Sequence, residues 1–293
     1  MNIGFIGLGK LGLPCALAVE SRGHKVVGYD PSEQVKDIID TKKLQYQEIW
    51  AQKHLDKSKI KIKSIEEVVG ESEIIFVPIQ TPHDPLYEGT TRLPDERVDF
   101  DYTYLKKGIK DLSEEIYYQQ SKKVVIIIST VLPGTIRREI KPIIDANPYF
   151  KLCYNPFFIA MGTTMRDFLH PEFVLFGHDD DWALDKSEKF YRTITHAPVF
   201  KTTIENAELI KEINKCRQKK QNWVFSISCE EELTISIISD YFNKIKKLKN
   251  PYDTYDGVQG TAGSVQIDIR NKLLILSVDI DASGGIDIEH TIY

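Results

Sequence analysis

The stretch NIGFIGLGKLGLP, residues 2–14, decides the fold. It opens with a short apolar run, residues 2–6, of strand-forming character. Gly7, Gly9 and Gly12 follow in the order GxGxxG, with Lys10 and Leu11 between the last two. Residues 14–20 have helical periodicity, and Gly23 stops them. Residues 25–29 read as a second strand ending at Asp30. Strand, glycine turn, helix and strand in that order make a βαβ unit. Gly7 permits the tight turn, Gly9 lets a pyrophosphate approach the backbone, and Gly12 lets helix pack closely on strand. The helix N-terminus offers free N–H groups to the phosphates. Asp30 stands 18 residues beyond Gly12, near the spacing of about 20 at which a carboxylate meets the adenosine ribose 2′-hydroxyl. A carboxylate there repels a 2′-phosphate, so the expected cofactor is NAD rather than NADP. A glycine-rich turn of another α/β protein would explain the glycines alone, but not the strand, helix and acid in order.

Working outward, residues 32–40 have helical character, and 65–69 read as a short helix. Residues 42–63 are polar and basic, as in a surface helix with a loop. Residues 74–78 are the next apolar strand. Residues 80–101 (QTPHDPLYEGTTRLPDERVDFD) are rich in proline, glycine and charge. They have the length of a lid or binding loop; a disordered insertion is the alternative, and Tyr87 and Phe100 argue against it. Residues 104–118 suit an amphipathic helix, 124–129 a buried strand, 130–135 a turn and 136–144 the following helix. Residues 151–154 and 173–176 are further strands. This alternation predicts an α/β fold: a Rossmann-like, doubly wound parallel sheet with helices on both faces.

Residues 205–216 (ENAELIKEINKC) have helical spacing, with Ala207, Ile210 and Ile213 on one side. Beyond Cys216 the character changes. Residues 217–223 are basic and polar, and 230–248 read as one helix with lysines at its C-terminal end. Residues 250–263 are turn-rich, and 265–269 and 273–280 alternate like strands. Three regions are expected: a cofactor-binding domain over 1–203, a helical connection over 204–250 and a divergent or incomplete region over 251–293.

Composition excludes several classes. The chain has 293 residues, 42% hydrophobic and 28% charged, with Lys plus Arg at 38 against Asp plus Glu at 43, a net charge of −5. That argues against a dedicated nucleic-acid binder, which needs a basic face. The apolar run 124–128 falls far short of the roughly 18 residues that span a bilayer, so no membrane partner is expected. The start has no basic segment followed by a long apolar run, as a secretory signal would. Cys15, Cys153, Cys216 and Cys229 form no CxxC pair. No disulfide framework and no metal site are expected, and a cytoplasmic location is.

Five islands, taken together, resemble the UDP-glucose/GDP-mannose dehydrogenase family of NAD-dependent nucleotide-sugar 6-dehydrogenases. They are FIGLGKLGLP near the start, FVPIQTP at 76–82, STVLPGT at 129–135, YNPFFIAMGTTMRDF at 154–168 and NAELIKEINK at 206–215. The resemblance implies a nucleotide-sugar substrate, a homodimer formed through the helix after the lysine motif, and a place in polysaccharide biosynthesis. It also implies oxidation of the sugar's C6 alcohol to a carboxylate in two hydride transfers. A cysteine thiolate holds the aldehyde between them, and a cation stabilises the oxyanion.

Carried onto this chain, the resemblance implies a cofactor site of Gly7, Gly9, Lys10, Leu11, Gly12, Asp30, Pro78, Thr81 and Thr130. Thr130 would stand near the nicotinamide and a catalytic water, and Lys211 at the sugar's reacting end; a solvated helix lysine is the plainer alternative for Lys211. The family asparagine falls four residues after that lysine, where this chain has Lys215; Asn214, one residue early, is a weaker candidate. Phe157, Phe158 and Ile159 would line the sugar cleft or simply pack the core. Phe157 and Met161 occupy the places of the family's two glutamates, and no GGSCxPKD-like cysteine motif is present. Gly260 to Ser264 form a glycine-rich turn without cysteine. Two other readings compete: an NAD-binding remnant of the family, truncated or rearranged after about residue 216, and a β-hydroxyacid dehydrogenase, which shares the glycine turn and a later helix lysine.

Overall fold

The computed structural model describes residues 1–87, 98–219, 265–270 and 273–278, with side chains described for 1–86 and 98–212. The chain divides into two units, Met1–Asn214 and Lys215–Tyr293.

The first unit is built on seven strands. They are β1 (Asn2–Ile6), β2 (Lys25–Tyr29), β3 (Ile74–Val77), β4 (Lys123–Ile127), β5 (Phe150–Tyr154), β6 (Val174–His178) and β7 (Val199–Thr202). Their order in the sheet is β2-β1-β3-β4-β5-β6-β7. Strands β1 to β5 are parallel, as are β6 and β7, but β6 runs antiparallel to β5. The doubly wound parallel sheet expected from the alternation is thus present, with β5–β6 as its antiparallel pair. The connection between them, residues 155–173, carries α7 (Thr164–Leu169).

The central strands are apolar almost without interruption because both faces are covered; every residue of β3 and β4 is buried. Among the covering helices, α1 (Gly12–Ser21) is buried from Gly12 through Val19, so it sits inside the core. Then follow α2 (Glu33–Thr41), α3 (Ala51–Leu55), α4 (Ile65–Glu71), α5 (Thr103–Gln119), α6 (Lys141–Ile144) and α8 (Asp181–Ile194). Helix α4 starts at a capping box in which Ser64 and Glu67 satisfy each other's backbone N–H. Helix α8 starts on the Asp180 carboxylate, which accepts from Ala183 N. Phe5 and Phe76 stack with centroids 5.2 Å apart, and Phe190 lies 5.5 Å from Phe76.

Two local expectations are corrected. The basic stretch 42–63 is helical only over Ala51–Leu55. Its end runs along β2, with Lys63 N donating to Gly28 O at 2.8 Å. The cause is the alternation Lys59-Ile60-Lys61-Ile62-Lys63, a strand period that turns Ile60 into the core. The helix expected over 136–144 is π-helical across Ile136–Ile140 before α6. Pro142 has no N–H to give the carbonyl one turn back, so that turn widens.

The last helix among the described residues, α9 (Ile204–Lys219), begins in the first unit. A Cβ at Gly177 would lie 2.8 Å from both Ala207 Cβ and Ile204 Cα. That glycine therefore lets α9 press directly on β6. In the second unit, β8 (Val265–Arg270) and β9 (Leu273–Val278) pair antiparallel, matching the strands expected there. The helix expected over 230–248, the turns over 250–263 and the tail lie outside the described residues, as do residues 88–97 of the long loop.

Candidate functional site

The sheet order fixes where a ligand can sit. From β1 the chain goes first to β2 on one side and later to β3 on the other. The crevice outside the carboxyl ends of β1 and β3 is the topological switch point, where open α/β sheets bind ligands. Gly7 closes β1 with φ 110°, a conformation side chains rarely adopt. A Cβ on Gly12 would lie 2.1 Å from Gly7 O and 2.9 Å from Pro78 Cγ, so only glycine lets α1 start so close. A Cβ on Gly9 would meet nothing within 4 Å. The space over Gly9 is open to a phosphate, and Leu11 places no side-chain acceptor on the first N–H groups of α1. Lys10 is exposed beside that opening. At the end of β2 the Asp30 carboxylate accepts from Leu8 N at 2.7 Å and Ser32 N at 2.9 Å. It is half-buried and ties the glycine turn to the second strand. Open space, an uncapped helix start and this acid fit a dinucleotide.

The turns after β3 and β4 are bound to each other. Thr81 Oγ1 donates to Thr130 O at 2.6 Å, and Ser129 Oγ donates to Ile79 O at 2.5 Å. Pro78, Thr81 and Thr130 thus stand in one cross-tied pair of turns beside the glycine loop. The turn after Thr130 has further anchors that the sequence did not reveal. Tyr102 OH accepts from Thr135 Oγ1 at 3.1 Å and from Leu132 N at 3.3 Å. Glu208, on α9, is fully buried and accepts from Gly134 N at 2.6 Å and Ile136 N at 2.8 Å. Burial pushes its carboxyl up to about 7, against the pull of those two N–H donors. Arg137 bridges Asp179 and Glu205, at 2.8 Å to each.

Lys211 lies one turn beyond Glu208. Its ammonium donates to Phe157 O and sits 5.3 Å from the Phe158 ring centroid. The helix lysine and the NPFF segment are therefore brought together. Asn155 anchors that segment: its Nδ2 donates to Leu175 O at 2.8 Å, and its Oδ1 accepts from Tyr191 OH. Phe157 is buried, its ring 5.2 Å from that of Phe168, whereas Phe158 and Ile159 are half-buried. The three line a cavity of about 20 Å³, room for a water rather than a sugar. Met161 is 60% exposed. Glu48, another acid the sequence hid, is buried and accepts from Gly162 N at 2.9 Å and Met165 N at 3.2 Å. It holds the loop after NPFF by its backbone.

Cys15 and Cys153 are fully buried, and burial pushes both thiols up, Cys153 to about 12. Neither is a nucleophile. Asn214 and Cys216 lie on α9 with side chains outside the described residues, and Cys229 lies wholly outside them. Among the described residues no group of three acidic, His or Cys side chains could hold a metal, and no helix is long and apolar enough to cross a membrane. A groove of about 760 Å³ opens elsewhere, at the start of β2, lined by Lys25, Lys57, Lys59, Lys61 and Lys63.

Comparison with known proteins agrees with this geometry. The family model described as "UDP-glucose/GDP-mannose dehydrogenase family, NAD binding domain" matches residues 1–195. GDP-mannose 6-dehydrogenase of Pseudomonas aeruginosa is 28% identical over 222 residues, covering 72% of this chain and 48% of the relative. UDP-glucose 6-dehydrogenase of Rickettsia bellii is 27% identical over 218 residues, covering 72% and 47%. The crystal structure of a ternary complex of the Pseudomonas aeruginosa GDP-mannose dehydrogenase superposes with TM-score 0.67 at 26% identity, covering 75% of this chain and 50% of that one. The chain spans about half the length of the curated relatives it matches. It is an NAD-binding chain and belongs to the UDP-glucose/GDP-mannose dehydrogenase family.

Proposed function

We propose that the chain serves the NAD-dependent oxidation of a nucleotide sugar at its C6 alcohol. The observation that carries this is the contact between Lys211 and the carbonyl of Phe157. It sets a cation against the NPFF segment, where the family resemblance expects the sugar's reacting end. NAD, when bound, accepts the hydride. Gly7, Gly9, Gly12 and the start of α1 would hold its phosphates, and Asp30 its adenosine ribose. Pro78, Thr81 and Thr130 would line the nicotinamide end.

Removing hydride from a C6 alcohol requires its proton to leave as well, so negative charge develops on oxygen. An ammonium held in place by a carbonyl is already oriented and stabilises that charge. Thr130 would orient a water that takes the proton.

A second reading, an NAD-binding remnant with impaired turnover, is favoured by one specific observation. Phe157 is turned into the core against Phe168, so no carboxylate stands at that place, and neither buried thiol can capture an aldehyde.

The test is reduced-nicotinamide formation by the purified chain with NAD and a panel of UDP- and GDP-sugars. Turnover with one sugar supports the dehydrogenase, and NAD binding without turnover supports the remnant. Oxidation of a small β-hydroxyacid, with none of any nucleotide sugar, would move the chain to the third class.

A further inference from the structure

A buried carboxylate needs a reason to be buried. Glu208 has zero solvent exposure and sits among Ala207, Leu209 and Ile210, all buried. It forms no ion pair at hydrogen-bond distance among the described contacts; its two oxygens are spent on backbone N–H groups. Gly134 and Ile136 flank the end of the turn STVLPGT and the start of the next helix. The Ile136 N–H is buried with the carboxylate, and that of Gly134 is half-buried beside it. Lysine, glutamine or an apolar residue at 208 would leave at least one of them without an acceptor.

The turn so held begins at Thr130, and the helix that holds it carries Lys211. We propose that Glu208 is a positioning residue, whose carboxylate locks the turn after Thr130 to α9 and thereby sets the nicotinamide end of the cofactor site against Lys211. This rests on the roles proposed above for Thr130 and Lys211. Tyr102 fastens the outer side of the same turn through Leu132 and Thr135. Glu208 fastens it to the lysine helix through the backbone, while Arg137 does so at the surface through Glu205.

The adenosine end of the site depends on Gly9, Gly12 and Asp30, and the Asp30 carboxylate is bonded to Leu8 and Ser32 rather than to this turn. That separation makes the role measurable. ADP-ribose carries the adenosine and pyrophosphate but no nicotinamide. Titrating NAD and ADP-ribose at about pH 8.5, where the Glu208 carboxyl is ionised, into the wild type and Glu208→Gln compares the two ends directly. The expected result is about tenfold weaker NAD binding, the worth of one lost charge-assisted hydrogen bond, with ADP-ribose binding within about twofold of wild type. Faster amide exchange at Gly134 and Ile136 accompanies it. Equal loss for both ligands, or loss for neither, overturns the proposal. If Glu208→Gln does not fold, Glu208→Asp, which keeps the charge and shortens the reach, is titrated in the same way with the same expected selectivity. Neither measurement needs turnover, so a wild type that binds NAD but oxidises no sugar refutes the dehydrogenase while leaving this result decisive. Where turnover is found, kcat falls in Glu208→Gln while KM for the sugar holds.

Discussion

The ammonium of Lys211 donates a hydrogen bond to the carbonyl oxygen of Phe157. Residues far apart in the chain meet there because Gly177 has no side chain to keep α9 off β6, and because Asn155 ties the NPFF segment to β6. Cation, carbonyl and turn are then held by the scaffold rather than by a ligand.

Replacing Lys211 with alanine removes the cation without touching the glycine turn. NAD affinity is expected to stay within about twofold, while turnover of the sugar falls by at least about a hundredfold, the size of losing one charge-stabilising donor. Calorimetric titration and steady-state rates on one preparation check both.

The two inner glycines separate binding from folding. Gly12→Ala drives a methyl into Gly7 O and costs at least about 3 kcal/mol of stability. Gly9→Ala meets nothing in the protein, so the melting temperature holds, while NAD affinity drops by at least about tenfold as the methyl takes up phosphate space. Thermal melts beside NAD titrations distinguish them.

On the proposed cofactor site, Asp30 is expected to set the choice between NAD and NADP. Asp30→Ala loses a charged acceptor and is expected to weaken NAD by about 10- to 100-fold. NADP binding changes less, because the repulsion of the 2′-phosphate goes with the carboxylate. The ratio of the two dissociation constants is the readout.

Glu208 gives stability a pH dependence with a definite sign. Its folded pKa is raised from 4.5 to about 7, so between those values the native state holds a proton that the unfolded state has released. Stability from this group is present below about pH 4.5 and is lost as pH rises toward about 7. The loss is about 3 kcal/mol. Arg137, Glu205 and Tyr154 also face it. Urea melts of wild type and Glu208→Gln across this range should show their stability difference shifting by that amount; a constant difference would contradict it.

Phe157 and Met161 stand where two glutamates were expected, and they differ in what they tolerate. Met161→Glu changes an exposed side chain and leaves stability within about 0.5 kcal/mol. Phe157→Glu buries an unpaired carboxylate beside Phe168 and costs about 3–5 kcal/mol. Denaturant midpoints of the two variants decide this.

The glycine turn and its flanking strands were legible in the sequence because they are local. Strand, glycines, helix and Asp30 lie within thirty residues, and each glycine answers a steric demand visible in the spacing. The apolar runs of β3, β4 and β5 were legible for the same reason. Helix α8 was missed although Ala183, Leu184, Ser187, Phe190 and Tyr191 keep a helical period, since charged residues interleave that face. Strand β7 is short and only partly buried, so its pattern is faint. Glu48 and Glu208 could not be assigned from spacing. Their partners are backbone N–H groups far along the chain, which any residue can supply. The one local sign was an acid enclosed by apolar neighbours, as in Ala207-Glu208-Leu209-Ile210.

Formation of reduced nicotinamide by the wild type and by Lys211→Ala, with NAD and the panel of UDP- and GDP-sugars, tests the central claim most directly, with bound NAD measured on the same samples. The account predicts turnover of one nucleotide sugar by the wild type, abolished in the variant although both bind NAD. Equal turnover in the two, or none in a wild type that binds NAD, would contradict it.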